Sequence, residues 1–183
     1  MIKKKEGSVY RQRLFKRLET AWCEFLDALA GLSEEQLLEP DVTGNWSVRD
    51  IVAHVTTWEE EALKHLPFIL KGGTPPRYST TYGGIDVFNA QMTQEKKDLP
   101  VKEVFRQMND VHSRLISLLS HLPESELGSK TRFRHRLRLD TYGHYPKHTR
   151  AIRKWREKKG PIEDLQSSAA FESAEETAQR RLW

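Results

Sequence analysis

Three histidines carry the clearest chemical potential in this chain. His144 and His148 stand four apart, so on a helix both imidazoles project from one face. Such pairs seat transition metals, although the spacing alone is a weak motif in a chain with seven His. His54 lies on the apolar side of a helical segment, beside Val55 and one turn before Trp58. A neutral imidazole there requires a hydrogen-bond partner or a metal; taken alone, a satisfied core histidine is the simpler reading. A faint internal repeat changes that balance. At an offset of 90, Leu29, Leu32, Glu34 and Leu37 correspond to Leu119, Leu122, Glu124 and Leu127, and in the same register Asp50 and His54 fall on Asp140 and His144. Two helix hairpins related by a pseudo-twofold axis would bring His54 and His144 to one interior point. Three neutral imidazoles suit a divalent transition metal among Zn, Ni, Co, Fe and Cu, Zn or Ni first, and leave a position for water or substrate.

Other residues carry less. Trp46, Trp58 and Trp155 read first as core and bundle-end packing. Trp58, Asn89 and Tyr145 are the candidate substrate-pocket residues, Asn89 being a polar group among Val87, Phe88 and Ala90. His112 is expected to pack or cap on a helix face, and His65, His121 and His135 to sit at helix ends or in loops. Cys23, among Trp22 and Phe25, is expected to be a buried, inert thiol. No Ser-His-Asp order and no carboxylate dyad stands out. From 130 to 159 there are twelve Lys and Arg against Asp140 and Glu157. Arg132, Arg134, Arg136 and Arg138 alternate with Phe133, His135, Leu137 and Leu139, a period of two that suggests a short extended segment with a basic face. A solvated loop is the plainer reading. Without an aromatic-rich nucleic-acid motif, a Gly-rich phosphate loop or zinc-finger spacing, nucleic acid is not the expected partner.

The elements that must position the histidines are helical. Leu14, Leu18, Ala21, Trp22, Phe25 and Leu29 recur at three-to-four spacing, ended by Gly31. The stretch 33–44 reads as a connector. Ser47 and Asp50 then mark a capped helix start, with Ile51, Val55, Trp58, Ala62 and Leu66 on its apolar face and Pro67 expected to bend or end it. Gly72, Gly73, Pro75, Pro76, Gly83 and Gly84 make 71–84 a long loop of the lid or binding type. Helical pattern resumes near Asp86, is interrupted at Leu99 and Pro100, and continues through Val101, Val104, Met108, Val111, Leu115 and Leu119. A last helix is expected over about 139–158. A start near Tyr142 would leave Pro146 harmless in its first turn, whereas a start at Leu139 would kink the segment. The class is therefore all-α: a four-helix bundle over 8–160, with a long loop between helices 2 and 3, and a polar C-terminal tail or peripheral helix over 161–183.

Composition bounds the rest. The 183 residues are 37% hydrophobic and 31% charged, with a net charge of +4, enough for one core. No apolar run is long enough to cross a bilayer. Met1-Ile2-Lys3-Lys4-Lys5-Glu6 has no apolar region behind it, so no secretory signal is expected and a cytoplasmic location is the default. The lone Cys23 excludes an internal disulfide and a thiolate zinc cluster.

The chain resembles the DinB-like superfamily, which includes ClbS/DfsB-type bundles. The resemblance rests on Gly44-Asn45-Trp46-Ser47-Val48-Arg49-Asp50-Ile51-Val52-Ala53-His54-Val55 with Trp58-Glu59. It rests equally on Phe88-Asn89-Ala90 and on the segment 139–152, which contains His144-Tyr145-Pro146-Lys147-His148. It spans about 9–159. It implies a four-helix bundle holding a divalent metal on His54, His144 and His148, often as a homodimer. It also implies a metal-dependent thiol S-transferase or a hydrolase that acts on a small electrophile in stress or detoxification, with a small-molecule substrate or thiol cosubstrate as partner. The alternative is a protein that sequesters a ligand or metal, or serves as an interaction module, without turnover.

Overall fold

The computed structural model describes residues 3–128 and 130–159; the stretch 161–183, expected as a tail, lies outside them. Helix α1 (Lys3–Leu29) buries Leu14, Leu18, Trp22, Phe25 and Leu29, its 3.6-residue stripe, and ends at Gly31, whose φ of 73° takes the left-handed conformation that stops a helix. The expected connector holds a short helix, α2 (Glu34–Leu38), started by a capping box between Ser33 and Gln36. A second box starts α3 (Val48–Leu70): Asp50 donates its backbone N–H to Ser47 Oγ at 3.2 Å, and Ser47 returns its own N–H to the Asp50 carboxylate at 3.0 Å. Helix α3 runs on through Pro67 to Leu70.

The long loop contains one turn of helix, α4 (Tyr78–Thr81), before α5 (Ile85–Lys96) and α6 (Val101–Ser120). A 3-10 turn, Glu124–Leu127, leads to α7 (Arg132–Asp140), and α8 (Tyr145–Lys159) closes the described chain. Helix α7 overturns the extended reading of the alternating arginines. Thr131 caps it by accepting the Arg134 N–H at 3.1 Å. Phe133 and Leu137, four apart, face the core, while Leu139 is 51% exposed, so the burial period is helical. The expected single helix over 139–158 is broken by a turn at 141–144, which leaves Pro146 in the first turn of α8, where its missing N–H breaks no bond.

The long helices α1, α3, α6 and α8 form a four-helix bundle, α3 lying along α6 and α1 along α8, with α7 against α3. One core cluster joins Trp22, Phe25, Ile51, Val52, Met108, Tyr145 and Ile152; a second joins Leu14, Leu18, Leu66, Leu115, Phe133 and Leu137. The repeat has a structural counterpart: Leu29 and Leu119, and Leu37 and Leu127, are all buried, and Glu34 and Glu124 each open a short helical turn. Each hairpin's first helix also ends under an arginine. Arg156 donates to the Ala28 and Ala30 carbonyls at 2.9 and 2.8 Å, and Arg11 to the Ser120 carbonyl at 3.0 Å. No helix among the described residues is long and apolar enough to cross a membrane.

Since the Ser47 cap fixes where α3 begins, and hence where His54 projects, Ser47→Ala is expected to lower stability by about 1 kcal/mol. A shift in the urea midpoint at constant slope would show it; an unchanged midpoint would mean that the cap is dispensable.

Candidate metal centre

His54 projects from the second turn of α3, His144 from the turn before α8, and His148 from the first turn of α8. Their Nε2 atoms meet: 3.2 Å separates His54 from His144, and 2.9 Å separates His148 from His144. The three candidate ligand nitrogens all lie within 4.8 Å of one another, and His54 and His148 are buried.

Hydrogen bonding alone does not satisfy this arrangement. A neutral imidazole Nε2 is either one N–H donor or one in-plane lone pair, yet His144 Nε2 has two close neighbours of the same kind. One of the two contacts is therefore left without a proton to share, or with two facing each other. A cation at the convergence point removes the conflict by accepting all three lone pairs. Two nitrogens on one tetrahedral metal, each at about 2.0–2.1 Å, stand roughly 3.3 Å apart, close to the separations seen here. The donor set thus fits a divalent transition metal. The protonation states agree. Burial, followed for His54 by the neighbouring His144 and Lys147, lowers that imidazole to about 3. Burial and Lys147 lower His144 to about 4, and burial with His144, His54 and Lys147 lowers His148 to about 2. All three are neutral at pH 7, as ligation requires.

Beneath the triad lies a layer that holds it. Glu59, fully buried on α3, accepts a hydrogen bond from the Tyr145 hydroxyl and stands 2.8 Å from His112 Nδ1. Trp22 stacks on His112 with ring centroids 3.7 Å apart and planes 3° from parallel. Burial and the Glu59 carboxylate push the Tyr145 hydroxyl well above its usual range, so it stays a donor. Tyr145, expected to line a substrate pocket, is 0% exposed and lies in this core layer. Next to His144 in sequence, it ties the start of α8 to α3 and is a positioning residue.

Trp58 borders the triad, its ring 5.9 Å from His144 and 6.3 Å from His54, and Trp46 lies 4.8 Å from His54. Phe88, Tyr78 and Tyr82 extend that aromatic wall. Asn89 follows Phe88 on α5, half-buried, and its Oδ1 has no partner among the described residues. Tyr78 pins the long loop in place by donating to Glu61 at 2.5 Å and accepting from Arg136 at 2.8 Å. His65, expected at a helix end, is buried and 2.9 Å from Glu61. Cys23 is exposed, correcting the buried reading: it lies one position off the apolar stripe of α1, and partial burial with the charges of Glu19 and Asp27 raises its pKa.

Residues 17–151 match the family model described as the DinB superfamily. The chain belongs to the DinB superfamily. This DinB chain is similar in fold to a crystal structure of an uncharacterised protein from Escherichia coli UTI89, at 15% identity and a TM-score of 0.70 over 84% of this chain and 96% of that one. It is also similar to the colibactin self-resistance protein ClbS, solved in complex with a dsDNA, at 17% identity and a TM-score of 0.68 over 80% and 94%. No curated protein matches the sequence.

Gly143 has no room for a side chain, since a Cβ would stand 2.6 Å from the Arg138 carbonyl oxygen. Gly143→Ala should therefore shift the turn that presents His144 and weaken metal binding about tenfold or more, by analogy with losses at groups that orient ligands; unchanged affinity in a competition titration would show that the turn absorbs the methyl. Metal-free protein should also respond to pH. Unfolded imidazoles titrate near 6.5 and the folded ones at about 3, 4 and 2. Below about pH 6.5 the unfolded chain thus takes up protons that the folded chain refuses, and stability falls with pH. Asp140, raised by burial to about 7 against the pull of Arg136, acts in the opposite sense. The loss in urea stability from pH 7.5 to 5 should accordingly be smaller in His148→Leu than in the parent; equal losses would mean that His148 is not held neutral.

Proposed function

We propose that this DinB-superfamily chain binds one divalent transition metal, Zn or Ni, on His54, His144 and His148, and works as a metal-dependent transferase of the thiol S-transferase type or as a hydrolase on a small electrophile. The observation that carries this reading is the meeting of three neutral Nε2 atoms at 3.2 and 2.9 Å. When bound, such a metal acidifies a thiol or water beside it and supplies a nucleophile near neutral pH.

The chain's own residues do the remainder. The low proton affinity of the three imidazoles keeps their lone pairs available. Glu59 and Tyr145 hold the first turn of α8 against α3, so that His144 and His148 stay opposite His54. Trp46 and Trp58 give an apolar, water-excluding flank against which an electrophile of small size can rest. Cys23, on the outer face of α1, is not part of this site, so the thiol comes from a cosubstrate. The cellular setting of the proposal is cytoplasmic stress or detoxification, with a homodimer as the working form.

Elemental mass spectrometry on tag-free protein should find about one equivalent of metal, with His148→Ala losing it and its affinity falling by at least about 100-fold. Parent protein that stays metal-free after reconstitution would remove the mechanism. A protein that holds metal yet turns over no thiol–electrophile pair and no hydrolysable electrophile would favour the sequestering alternative. The ClbS complex with dsDNA supports nucleic acid as a second partner class to test, by an electrophoretic shift with a short duplex.

A further inference from the structure

Helix α7 divides two basic regions that differ in how far their charges are already engaged. On one side, Arg136 donates to Asp140 at 2.5 Å and to Tyr78, and Arg132 donates to the Gly73 carbonyl at 2.8 Å. On the other side, a cavity of about 490 Å³ is lined by Arg13, Lys16, Arg17, Thr20 and Tyr142, with no Asp or Glu among them. Arg134 stands against the same Tyr142, its guanidinium carbon 5.8 Å from the ring centroid. Arg134 is 8% exposed, and its buried Nη1 has no hydrogen-bond partner among the described residues. None of Arg13, Lys16, Arg17 and Arg134 forms an ion pair among those residues.

This arrangement is unfavourable as it stands. Arg13, Lys16 and Arg17 are three and four apart on α1, where like charges destabilise a helix. A buried guanidinium with an unused donor carries a desolvation penalty that a partner normally offsets. Burial and the charge of Arg17 also lower the Arg134 pKa. A multivalent oxyanion in the cavity relieves the repulsion along α1 and offsets the charge of Arg134 at longer range. Phosphate presents several acceptor oxygens to the planar fork of an arginine, and four cations exceed what a monocarboxylate neutralises. The volume falls within the range of small-ligand pockets.

We infer that the cavity between α1 and the turn after α7 binds a phosphate-bearing anion, held by Arg13, Lys16 and Arg17, with the Thr20 and Tyr142 hydroxyls as further partners and the buried Arg134, beside the Tyr142 ring, adding positive charge. The site uses none of the three histidines.

Calorimetric titration of the full-length protein with inorganic pyrophosphate at low salt tests this, with a short DNA duplex as a second probe. Binding should weaken at least tenfold in Arg17→Glu and in Arg134→Met, and also when salt is raised to 0.3 M. It should survive in His148→Ala and in Arg132→Ala. If Arg134→Met does not fold by circular dichroism, Arg13→Glu replaces it. Pyrophosphate binding with that pattern identifies a small phosphate ligand; duplex binding alone with that pattern identifies nucleic-acid phosphates as the source. Binding lost equally in Arg17→Glu and Arg132→Ala would reveal only diffuse positive charge and overturn the proposal, as would no binding of either probe at millimolar concentration.

Discussion

The hydrogen bond between the Tyr145 hydroxyl and the buried carboxylate of Glu59 is the constraint on which the rest of the site depends. Both groups lie in the core, where leaving either without its partner is costly. The bond therefore sets where the first turn of α8 sits along α3. His144 precedes Tyr145 and His148 follows one turn later, so the same bond sets both opposite His54. His112, stacked on Trp22, meets the same Glu59 oxygen, Oε1, that accepts from Tyr145, and carries the constraint to α6 and α1. All four long helices thus contribute to one polar layer beneath the triad.

Above that layer the chemistry is one of deliberate neutrality. Three imidazoles are packed too close for their nitrogens to be satisfied by one another, and buried too deep to escape by protonation. A site of this kind keeps lone pairs exposed to whatever cation arrives, which is the property that metal-dependent nucleophile chemistry requires. The aromatic wall of Trp46, Trp58 and Phe88 restricts water on one flank. The loop before α5 is fastened beside that wall through Tyr78, Glu61 and Arg136, so the approach to the triad is shaped by hydrogen bonds rather than left to an untethered segment.

The bundle and the meeting of the three histidines are largely legible in the sequence because both rest on local periodicity and on a repeat. Apolar spacing marked the long helices, Ser47 and Asp50 marked where α3 starts, and the offset relating His54 to His144 brought distant residues together. What stayed hidden depends on tertiary packing. Nothing in the spacing of Glu59, Glu60 and Glu61 tells them apart, yet Glu59 is fully buried against His112 of α6 and Tyr145 of α8, and Glu61 nearly so under Tyr78 of α4. The alternating arginines of α7 fit a period of two as well as a helix until Thr131 caps the segment and Phe133 and Leu137 turn inward together. Cys23 lies a single position from Trp22, and a hydrophobic neighbourhood in sequence did not translate into burial in space. The turn at 141–144, which presents His144, depends on the close approach of Gly143 to the Arg138 carbonyl, a contact that spacing does not reveal.

In the proposed site one metal ion takes its protein ligands from three imidazoles, on α3 and at the start of α8. X-ray absorption at the zinc edge of the reconstituted full-length protein reads this directly. Ligation by the three imidazoles requires nitrogen and oxygen neighbours at about 2.0–2.1 Å, with the outer scattering of three imidazole rings, falling to two in His54→Ala. A sulfur ligand from Cys23, or a shell with a single imidazole or none, would contradict it.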